Sequence, residues 1–230
     1  MDYTEFRKIF TCYKDDLYLE ILEQNRERIR VKKENTIVKN LEKIFEATLK
    51  ISNKKGFQAM SMRNLSRESG LSMGALYAYF SSKEELIEML QRQHSNIMAR
   101  IFEAELESDM DPKSKLVTAI KLHLYLSESM QPWFYFAYME TKNMSRVKQE
   151  KAMASELSSE KIFSDILIEG QHKNVFLEND AVLTASLIKA VLQDWYLKRW
   201  KYRGRNVSVD AYADFVTRFI ESVVICPEAA

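Results

Sequence analysis

The sequence predicts an all-α protein, with an N-terminal three-helix unit that contains a helix-turn-helix and a larger C-terminal helical domain. Three observations support this fold class. The 230 residues include only 5 Gly and 3 Pro, too few for the many turns of a sandwich or a barrel. Apolar residues make up 46% of the chain, and over long stretches they recur at intervals of three and four, as on one face of a helix. Several of these stretches begin with a residue that favours the N-cap position.

The sequence has no pattern typical of a membrane-spanning, secreted or metal-binding protein. No uncharged run approaches the length of a spanning helix, about 18 residues; the run from Ser69 to Ser82 has fourteen. The N-terminus MDYTEFRKIF does not have the basic and then apolar layout of a signal peptide, so we expect a cytoplasmic protein with no membrane partner. Cys12 and Cys226 lie at opposite ends without the spacing of a metal site, and we expect free thiols.

Positive charge is concentrated in one part of the sequence. Between Arg26 and Lys83 there are thirteen Lys or Arg and five Asp or Glu, which gives +8, whereas the rest of the chain carries −7. A basic block beside an acidic body is typical of a domain that meets a polyanion. A basic face that is only solvated and has no partner would have the same composition. Charge alone therefore supports a polyanion-binding domain and a solvated face equally.

Apolar stripes predict the first two helices. An amphipathic helix is predicted from residue 3 to about residue 30, where it runs into the basic segment RERIRVKK, residues 26–33. A second helix ends at Lys54, Lys55 and Gly56, the basic last turn and following glycine that helix ends favour. The stripe of this second helix consists of Ile37, Val38, Leu41, Ile44, Phe45, Thr48 and Ile51.

The next segment, FQAMSMRNLSRESGLSMGALYAYFSSKEEL, has the pattern of a helix-turn-helix. Ser61 is predicted to cap a short helix from Met62 to Ser69, and Gly70 supplies the turn. Ser72 is predicted to cap a second short helix from Met73 to Phe80. The residues expected to lock both short helices onto the preceding helix are Leu65, Leu71, Leu76 and Phe80.

Longer helices are predicted over the rest of the chain. Ser82 with Glu85 has the pattern of a capping box for a helix that begins at Lys83 and runs to about residue 106. Asp111-Pro112 is a cap followed by proline at the first helical position, and that helix runs to about residue 130. The other predicted helices are the aromatic segment QPWFYFAYME, one from Ser145 to about Gly170, one from Asp180 to about Tyr202 capped by Asn179, and one from Val209 to Val224 capped by Ser208.

These motifs resemble those of the TetR family of bacterial transcription regulators. The resemblance covers residues 37 to about 90: an apolar helix that ends in KKGF, then MRNLSRESG, then LSMGALYAYFSSKEEL. A small residue, Leu-Tyr, one residue, Tyr-Phe and then Ser-Lys-Glu is the pattern typical of the family. A lone helix-turn-helix signal gives many false positives, and this longer pattern is much more specific.

The resemblance implies a homodimeric repressor that binds a palindromic operator in double-stranded DNA and is released by a small lipophilic effector, without a cofactor. It implies a helix-turn-helix DNA-binding domain over residues 36–84 and a helical effector-binding and dimerisation domain over residues 85–230. The extension over residues 1–35 departs from the family pattern. Its basic segment is predicted to act as an arm along DNA, and its helix to pack on its own body or on the partner subunit.

Within the resemblance, Tyr77, Tyr79 and Lys83 match positions that contact the DNA backbone. The two tyrosines are expected on the outer side of the recognition helix, although their rings would also suit the core. Arg63 matches a position where family members read a base, and we expect it to bind guanine through two hydrogen bonds and to carry much of the specificity. The predicted DNA contacts are Ser61, Arg63, Ser72, Met73, Gly74, Ala75, Tyr77, Ala78, Tyr79 and Lys83.

Two features of the C-terminal half fit the implied effector domain. Apolar stripes on the last two predicted helices suit either a core or a four-helix dimer seam; they consist of Leu183, Leu187, Val191 and Trp195 and of Tyr212, Phe215, Phe219 and Val223. Aromatic residues suit the wall of an apolar pocket, and ordinary core packing explains each of them equally well. The predicted pocket residues are His123, Met130, Trp133, Phe134, Phe136, Tyr138 and Trp195.

Two other functions compete with the ligand-gated repressor. The long N-terminal helix favours a DNA-binding protein of the same fold that is controlled by a protein partner. An enzyme has the least support, because the sequence offers no nucleophile–base pair, phosphate loop or metal cluster. The three histidines, His94, His123 and His172, are isolated, so neither a catalytic base nor a metal site is predicted.

Overall fold

The computed structural model describes residues 1–24, 29 and 33–226, and these residues confirm the all-α fold class. None of the helices in this described part is both long and apolar enough to cross a lipid bilayer. A short 3-10 turn occupies Thr141–Asn143. The α-helices are α1 (Tyr3–Gln24), α2 (Glu34–Lys55), α3 (Met62–Ser69), α4 (Met73–Leu76), α5 (Lys83–Glu105), α6 (Pro112–Ser129), α7 (Gln131–Glu140), α8 (Arg146–His172), α9 (Ala181–Leu197), α10 (Arg199–Gly204) and α11 (Val209–Val224).

The first two helices agree with the apolar stripes of the sequence. Most of the α2 stripe is buried, and α2 ends at Lys55, where the N–H of Gly56 donates to the carbonyl of Ser52 at 2.7 Å. α1 begins at Tyr3 as predicted and is described as far as Gln24. The basic segment predicted to act as an arm, residues 26–33, lies outside the described residues apart from positions 29 and 33.

The recognition helix is shorter than predicted. α3 has the predicted bounds, but α4 ends at Leu76 instead of Phe80. The chain tightens there into hydrogen bonds between residues three apart, from the N–H of Ala78 to the carbonyl of Ala75 at 3.2 Å and from the N–H of Tyr79 to the carbonyl of Leu76 at 2.9 Å. This tighter turn changes the direction of the side chains that follow α4.

α5 begins at Lys83 as predicted, and the capping pattern before it involves one more residue than expected. The Ser82 Oγ accepts a hydrogen bond from the N–H of Glu85 at 3.1 Å. The reciprocal bond goes to Ser81, because the Glu85 carboxylate accepts from the backbone N–H of Ser81 at 2.7 Å and from its hydroxyl at 2.6 Å. Two backbone N–H groups and the Ser81 hydroxyl are therefore satisfied locally at the start of this long helix.

The single helix predicted over residues 180–202 is two helices, so that prediction was wrong. Asp180, and not Asn179, is the N-cap, since its carboxylate accepts hydrogen bonds from two backbone N–H groups of the first turn. α9 ends at Leu197 because Lys198 leaves the helical conformation, with φ −117° and ψ 36°. α10 follows as a separate short helix.

The chain forms two compact units. We call the first the C-terminal unit; it consists of Met1–Phe6, Arg100–Phe134 and Ser145–Ala230. The second, the head unit, consists of Arg7–Ala99 and Tyr135–Met144 and contains the helix-turn-helix. The predicted domain limits at residues 35 and 84 stay a prediction.

The first residues of α1 pack within the C-terminal unit. Phe6 is fully buried, and its ring centroid lies 5.6 Å from that of Tyr125 on α6. The N–H of Tyr3 donates to Oδ1 of Asp210 on α11 at 2.9 Å, and the Tyr125 hydroxyl donates to the same oxygen at 2.7 Å. The start of the N-terminal extension therefore packs on its own chain, one of the two predicted alternatives.

Candidate nucleic-acid interface

Two capped helices and a glycine turn build the helix-turn-helix of the head unit. The Ser61 Oγ accepts a hydrogen bond from the N–H of Asn64 at 3.1 Å, and the Ser72 Oγ accepts one from the N–H of Ala75 at 3.1 Å. Gly70 between the two helices has a φ of +71°, a conformation that residues with a side chain rarely adopt. Both caps and the turn confirm the sequence prediction.

A buried apolar layer holds these helices in place. Leu65 and Leu76 have no exposed surface and Phe80 is 3% exposed, whereas Leu71 is half-buried. The turn is fixed from inside α3, where the Ser66 hydroxyl donates to the carbonyl of Leu71 at 2.6 Å. Side chains built on such a packed framework keep fixed positions, which a recognition surface requires.

Most of the predicted DNA contacts are accessible. Arg63 on α3 is exposed, and Tyr77, directly after α4, is 49% exposed. Gly74 is also exposed, and it would let another backbone approach closely. The exposed predicted contacts are Ser61, Arg63, Ser72, Gly74 and Tyr77, and the half-buried ones are Met73, Ala75, Ala78 and Lys83. Their contact with DNA stays a prediction.

Tyr79 does not lie on the outer side of the recognition helix, and that prediction was wrong. Its side chain is 1% exposed, and its phenol oxygen accepts a hydrogen bond from Nδ2 of Asn40 on α2 at 2.9 Å. Burial raises the pKa of Tyr79, and the hydrogen bond from Asn40 lowers it by less. The ring turns inward in the segment that follows the end of α4 at Leu76. Asn40 was not among the residues predicted from the sequence, where its signal is a polar residue beside the apolar stripe of α2.

Lys83 is held at the N-terminus of α5 by the segment before α3. Its Nζ donates to the carbonyl of Gln58 at 3.2 Å and lies 4.9 Å from the centroid of the Phe57 ring. Gln58 in turn donates from Nε2 to the carbonyl of Asn143 at 3.2 Å. This places a positive charge at a helix end whose dipole also favours anions. Gln58 had no signal in the sequence, because only the fold brings it to Lys83.

The predicted pocket residues lie in different surroundings. His123 and Phe134 meet in the C-terminal unit with ring centroids 5.7 Å apart. Trp195 is also buried there but packs in a separate cluster with two tyrosines, while Phe136 belongs to the head unit. Of the others, Met130 is buried, Trp133 is half-buried and Tyr138 is exposed. A pocket formed by these residues stays a prediction.

Large apolar side chains are exposed on α9 and α11 of the C-terminal unit. They are Val182, Leu183, Leu187, Phe215, Phe219 and Val223, each more than half exposed. Trp195 and Tyr212, which the predicted stripes also included, are buried and belong to the unit's own core. Clusters of exposed apolar side chains are typical of surfaces that meet a partner, whereas single ones are ordinary. We call the six exposed side chains the α9–α11 face.

The helix-turn-helix lies within a segment shared with known regulators. Residues 44–90 match the sequence profile described as bacterial regulatory proteins, tetR family. This helix-turn-helix segment belongs to the TetR family. One relative is the HTH-type transcriptional regulator PksA of Bacillus subtilis, which is 32% identical over 110 residues, 45% of this chain and 53% of that protein. The chain spans about half the length of the first curated relatives that it matches.

Solved structures share the TetR-family fold over most of the chain. The ketosteroid transcriptional regulator KstR2 of Mycobacterium tuberculosis has a TM-score of 0.72 at 17% identity and covers 81% of this chain and 95% of its own. AibR, solved in complex with isovaleryl coenzyme A and operator DNA, has a TM-score of 0.67 at 13% identity and covers 80% of this chain and 97% of its own. Likeness at these identities concerns the fold alone.

Proposed function

We propose that this TetR-family chain is a homodimeric DNA-binding transcription regulator, a repressor that a small lipophilic effector releases from a palindromic operator. The observation that carries the proposal is the helix-turn-helix of the head unit. It presents Arg63, Ser72 and Tyr77 to solvent above a layer in which Leu65 and Leu76 are fully buried. The names of PksA and of the AibR complex with operator DNA support it.

DNA recognition divides between charge and base contacts. The excess of thirteen basic over five acidic residues between Arg26 and Lys83 supports attraction to phosphates, which provides affinity without sequence preference and weakens as salt rises. We expect Tyr77 and Lys83 to contact phosphates. Arg63 is the residue proposed to read a base, because a guanidinium can donate two parallel hydrogen bonds to guanine.

The α9–α11 face supports the homodimer. Its exposed leucines and phenylalanines would be covered if the same face of a second copy packed against it, since a twofold interface joins a patch to itself. A twofold protein suits a palindrome, whose half-sites lie about 34–36 Å apart on one side of the duplex. Dimerisation and operator symmetry are therefore two parts of one proposal.

The effector would act through linkage. A ligand weakens DNA binding only if it binds better to a conformation whose two heads are badly spaced for the half-sites. The isovaleryl coenzyme A in the AibR complex supports an organic effector for a protein of this fold.

The test is binding of the purified chain to its own upstream DNA, titrated with salt and with nonspecific competitor DNA. We expect protection of a palindrome that survives excess competitor and a binding constant that falls steeply with salt. Thermal-shift measurements with lipophilic compounds then test the effector, since a ligand that binds the folded state stabilises it. Weak binding that is indifferent to sequence would contradict the proposal and favour control by a protein partner.

A further inference from the structure

The C-terminal unit contains a buried lysine that the proposed function does not use. Lys189 lies in the middle of α9, and its side chain is 4% exposed. Burial of a charged ammonium is unfavourable unless other groups compensate it. A lysine at such a position therefore requires specific partners, and these come from two neighbouring helices.

Three acceptors surround the Lys189 Nζ. It lies 2.7 Å from the Ser159 Oγ and 3.4 Å from Oε1 of Glu156, both on α8, and 3.1 Å from Nε2 of His123 on α6. As an ammonium it donates to all three, and His123 then accepts through an unprotonated Nε2. Burial lowers the pKa of Lys189, while Glu156 and, more weakly, Glu160 raise it.

The carboxylate that compensates this charge is only loosely held by Lys189. The Glu156 side chain is 46% exposed, and its Oε1 also accepts a hydrogen bond from Nε2 of Gln193 at 2.7 Å, a shorter contact than the one to Lys189. A half-exposed carboxylate loses little when it turns to water. Another carboxylate can therefore take its place beside Lys189 without leaving the ammonium uncompensated.

Aromatic rings adjoin the polar group. The His123 ring centroid lies 5.7 Å from that of Phe134, 6.4 Å from that of Phe163 and 6.5 Å from that of Tyr196. Phe134 and Tyr196 also contact each other, with centroids 5.1 Å apart. Buried aromatic surface with a few convergent polar groups is the usual composition of a small-molecule site.

We propose that Lys189 anchors the carboxylate of an organic acid whose apolar body packs among Phe134, Phe163 and Tyr196, while His123 keeps its hydrogen bond from the Lys189 Nζ. The incoming carboxylate replaces Glu156 at the Lys189 Nζ, and Glu156 turns to solvent. The inference rests on the proposed function in one respect, that such an acid is the effector. An uncharged amide or ester of the same shape cannot make this exchange, because it would leave the buried ammonium without a negative partner.

The first experiment compares acids with their primary amides on the full chain without DNA. The probes are octanoate, phenylacetate and benzoate against octanamide, phenylacetamide and benzamide, measured by thermal shift and calorimetry. We expect at least one acid to bind roughly tenfold or more tightly than its amide, the effect of one charge-assisted hydrogen bond in a buried site. Equal binding of every acid and its amide, or no binding of any acid, would overturn the anchor.

Variants with opposite expected effects distinguish an anchor from a structural lysine. Lys189→Met is expected to weaken binding of the acid by roughly tenfold or more, and Glu156→Gln to strengthen it a few-fold, because the competing carboxylate is gone. Lys121→Met is the matched control: Lys121 pairs with Asp214 at 3.4 Å in the same unit, with its side chain 24% exposed, and its loss should leave acid binding unchanged. If Lys189→Met does not fold, acid binding by Glu156→Gln is the deciding measurement. Weaker binding of the acid by Glu156→Gln would contradict the proposal.

The outcome for the carboxylate anchor can be distinguished from the outcome for the proposed DNA-binding regulator. An acid that binds through Lys189 to a chain without specific DNA binding would keep the anchor and remove the repressor. Specific DNA binding by a chain that does not distinguish acids from amides would keep the repressor and remove the anchor.

Discussion

The phenol oxygen of Tyr79 accepts a hydrogen bond from Nδ2 of Asn40 at 2.9 Å, which joins the end of the recognition segment to α2. Tyr77, two residues earlier, is 49% exposed, while Tyr79 is 1% exposed. The two tyrosines therefore have separate tasks. One is available to a ligand of the head unit, and the other helps to hold the unit together.

Removing the hydroxyl of Tyr79 or of Tyr77 should distinguish a role in stability from a role in DNA binding. Tyr79→Phe leaves the half-buried Asn40 amide without its acceptor and is expected to lower the free energy of unfolding by about 1 kcal/mol. Tyr77→Phe should leave stability unchanged and weaken operator binding about fivefold, the loss of one phosphate hydrogen bond. Urea denaturation and fluorescence anisotropy measure the two quantities. A Tyr79→Phe variant that keeps full stability and loses DNA affinity would show that the buried placement is irrelevant.

Arg63 is predicted to carry sequence specificity. Arg63→Ala should cost about 1–3 kcal/mol of binding free energy on the operator and clearly less on an operator with the contacted guanine replaced. Arg67 is the control, because it is also exposed on α3; Arg67→Ala should affect both DNA sequences equally. Competition binding on the two duplexes provides the comparison. An equal loss on both by Arg63→Ala would make Arg63 a phosphate contact.

The α9–α11 face predicts how the dimer can be broken. Leu187 and Phe215 are 63% and 62% exposed, so Leu187→Glu and Phe215→Glu should leave the monomer folded while a buried carboxylate opposes association. Val147→Glu is a matched control, since Val147 on α8 is 62% exposed. Sedimentation velocity with circular dichroism should give folded monomers for the first two variants and a dimer for the control. Dimers in all three would place the interface elsewhere.

Gly170 on α8 is predicted to be intolerant of any side chain. A Cβ at this position would lie 2.0 Å from Cδ2 of Phe176, whose ring is buried. Gly170→Ala is therefore expected to destabilise the C-terminal unit by about 1–3 kcal/mol through overpacking. Gly204→Ala is the control, because nothing lies within 4 Å of its added Cβ. Thermal denaturation of the two variants should give a clear loss for the first and little change for the second.

The lowered pKa of Asp194 predicts that the free energy of unfolding depends on pH. Burial alone would raise the pKa of Asp194, but hydrogen bonds from Lys198, Lys201 and Tyr202 outweigh it and lower the pKa to about 2. Because an unfolded Asp titrates near pH 3.9, the ionised carboxylate stabilises the fold above about pH 4, and this contribution is lost as the pH falls toward about 2.

The Asp194→Asn variant measures this contribution. It should be about 2 kcal/mol less stable than the natural chain near neutral pH, and the difference should shrink between about pH 4 and pH 2. Asp165→Asn is the control, since Asp165 pairs with Lys161 at 2.6 Å while 56% exposed, and exposed pairs contribute little. A difference for Asp194→Asn that stays constant down to pH 2 would mean that its effect is not electrostatic.

The sequence predicted features that depend on a few neighbouring residues. The caps at Ser61, Ser72, Asp111 and Ser208 are as expected, since each involves a side chain and an N–H group three positions later. The glycine turn at Gly70 is equally local. Periodicity also identified α2 and its end, because a continuous apolar stripe marks a helix wherever it later packs, and the cap signals gave the bounds of α3 and α11.

Some local predictions were wrong because the sequence was compatible with two neighbouring caps or with two helix ends. Asn179 and Asp180 are both good caps, and the structure uses Asp180. The sequence pattern continued the recognition helix to Phe80, whereas packing against α2 favours an earlier end at Leu76 and an inward Tyr79. Local preference is weak compared with burial of an aromatic ring, so tertiary packing decided these positions.

By itself, the sequence determined the all-α class and the helix-turn-helix with its caps and glycine turn, because all of these follow from short-range chemistry. Only the tertiary structure placed Lys189 beside His123, two residues 66 positions apart. It also decided which apolar residues face outward: on α9, Leu187 is 63% exposed and Leu192 is fully buried. Both are leucines on one helix, and only the position of the neighbouring helices determines which of them is shielded from water.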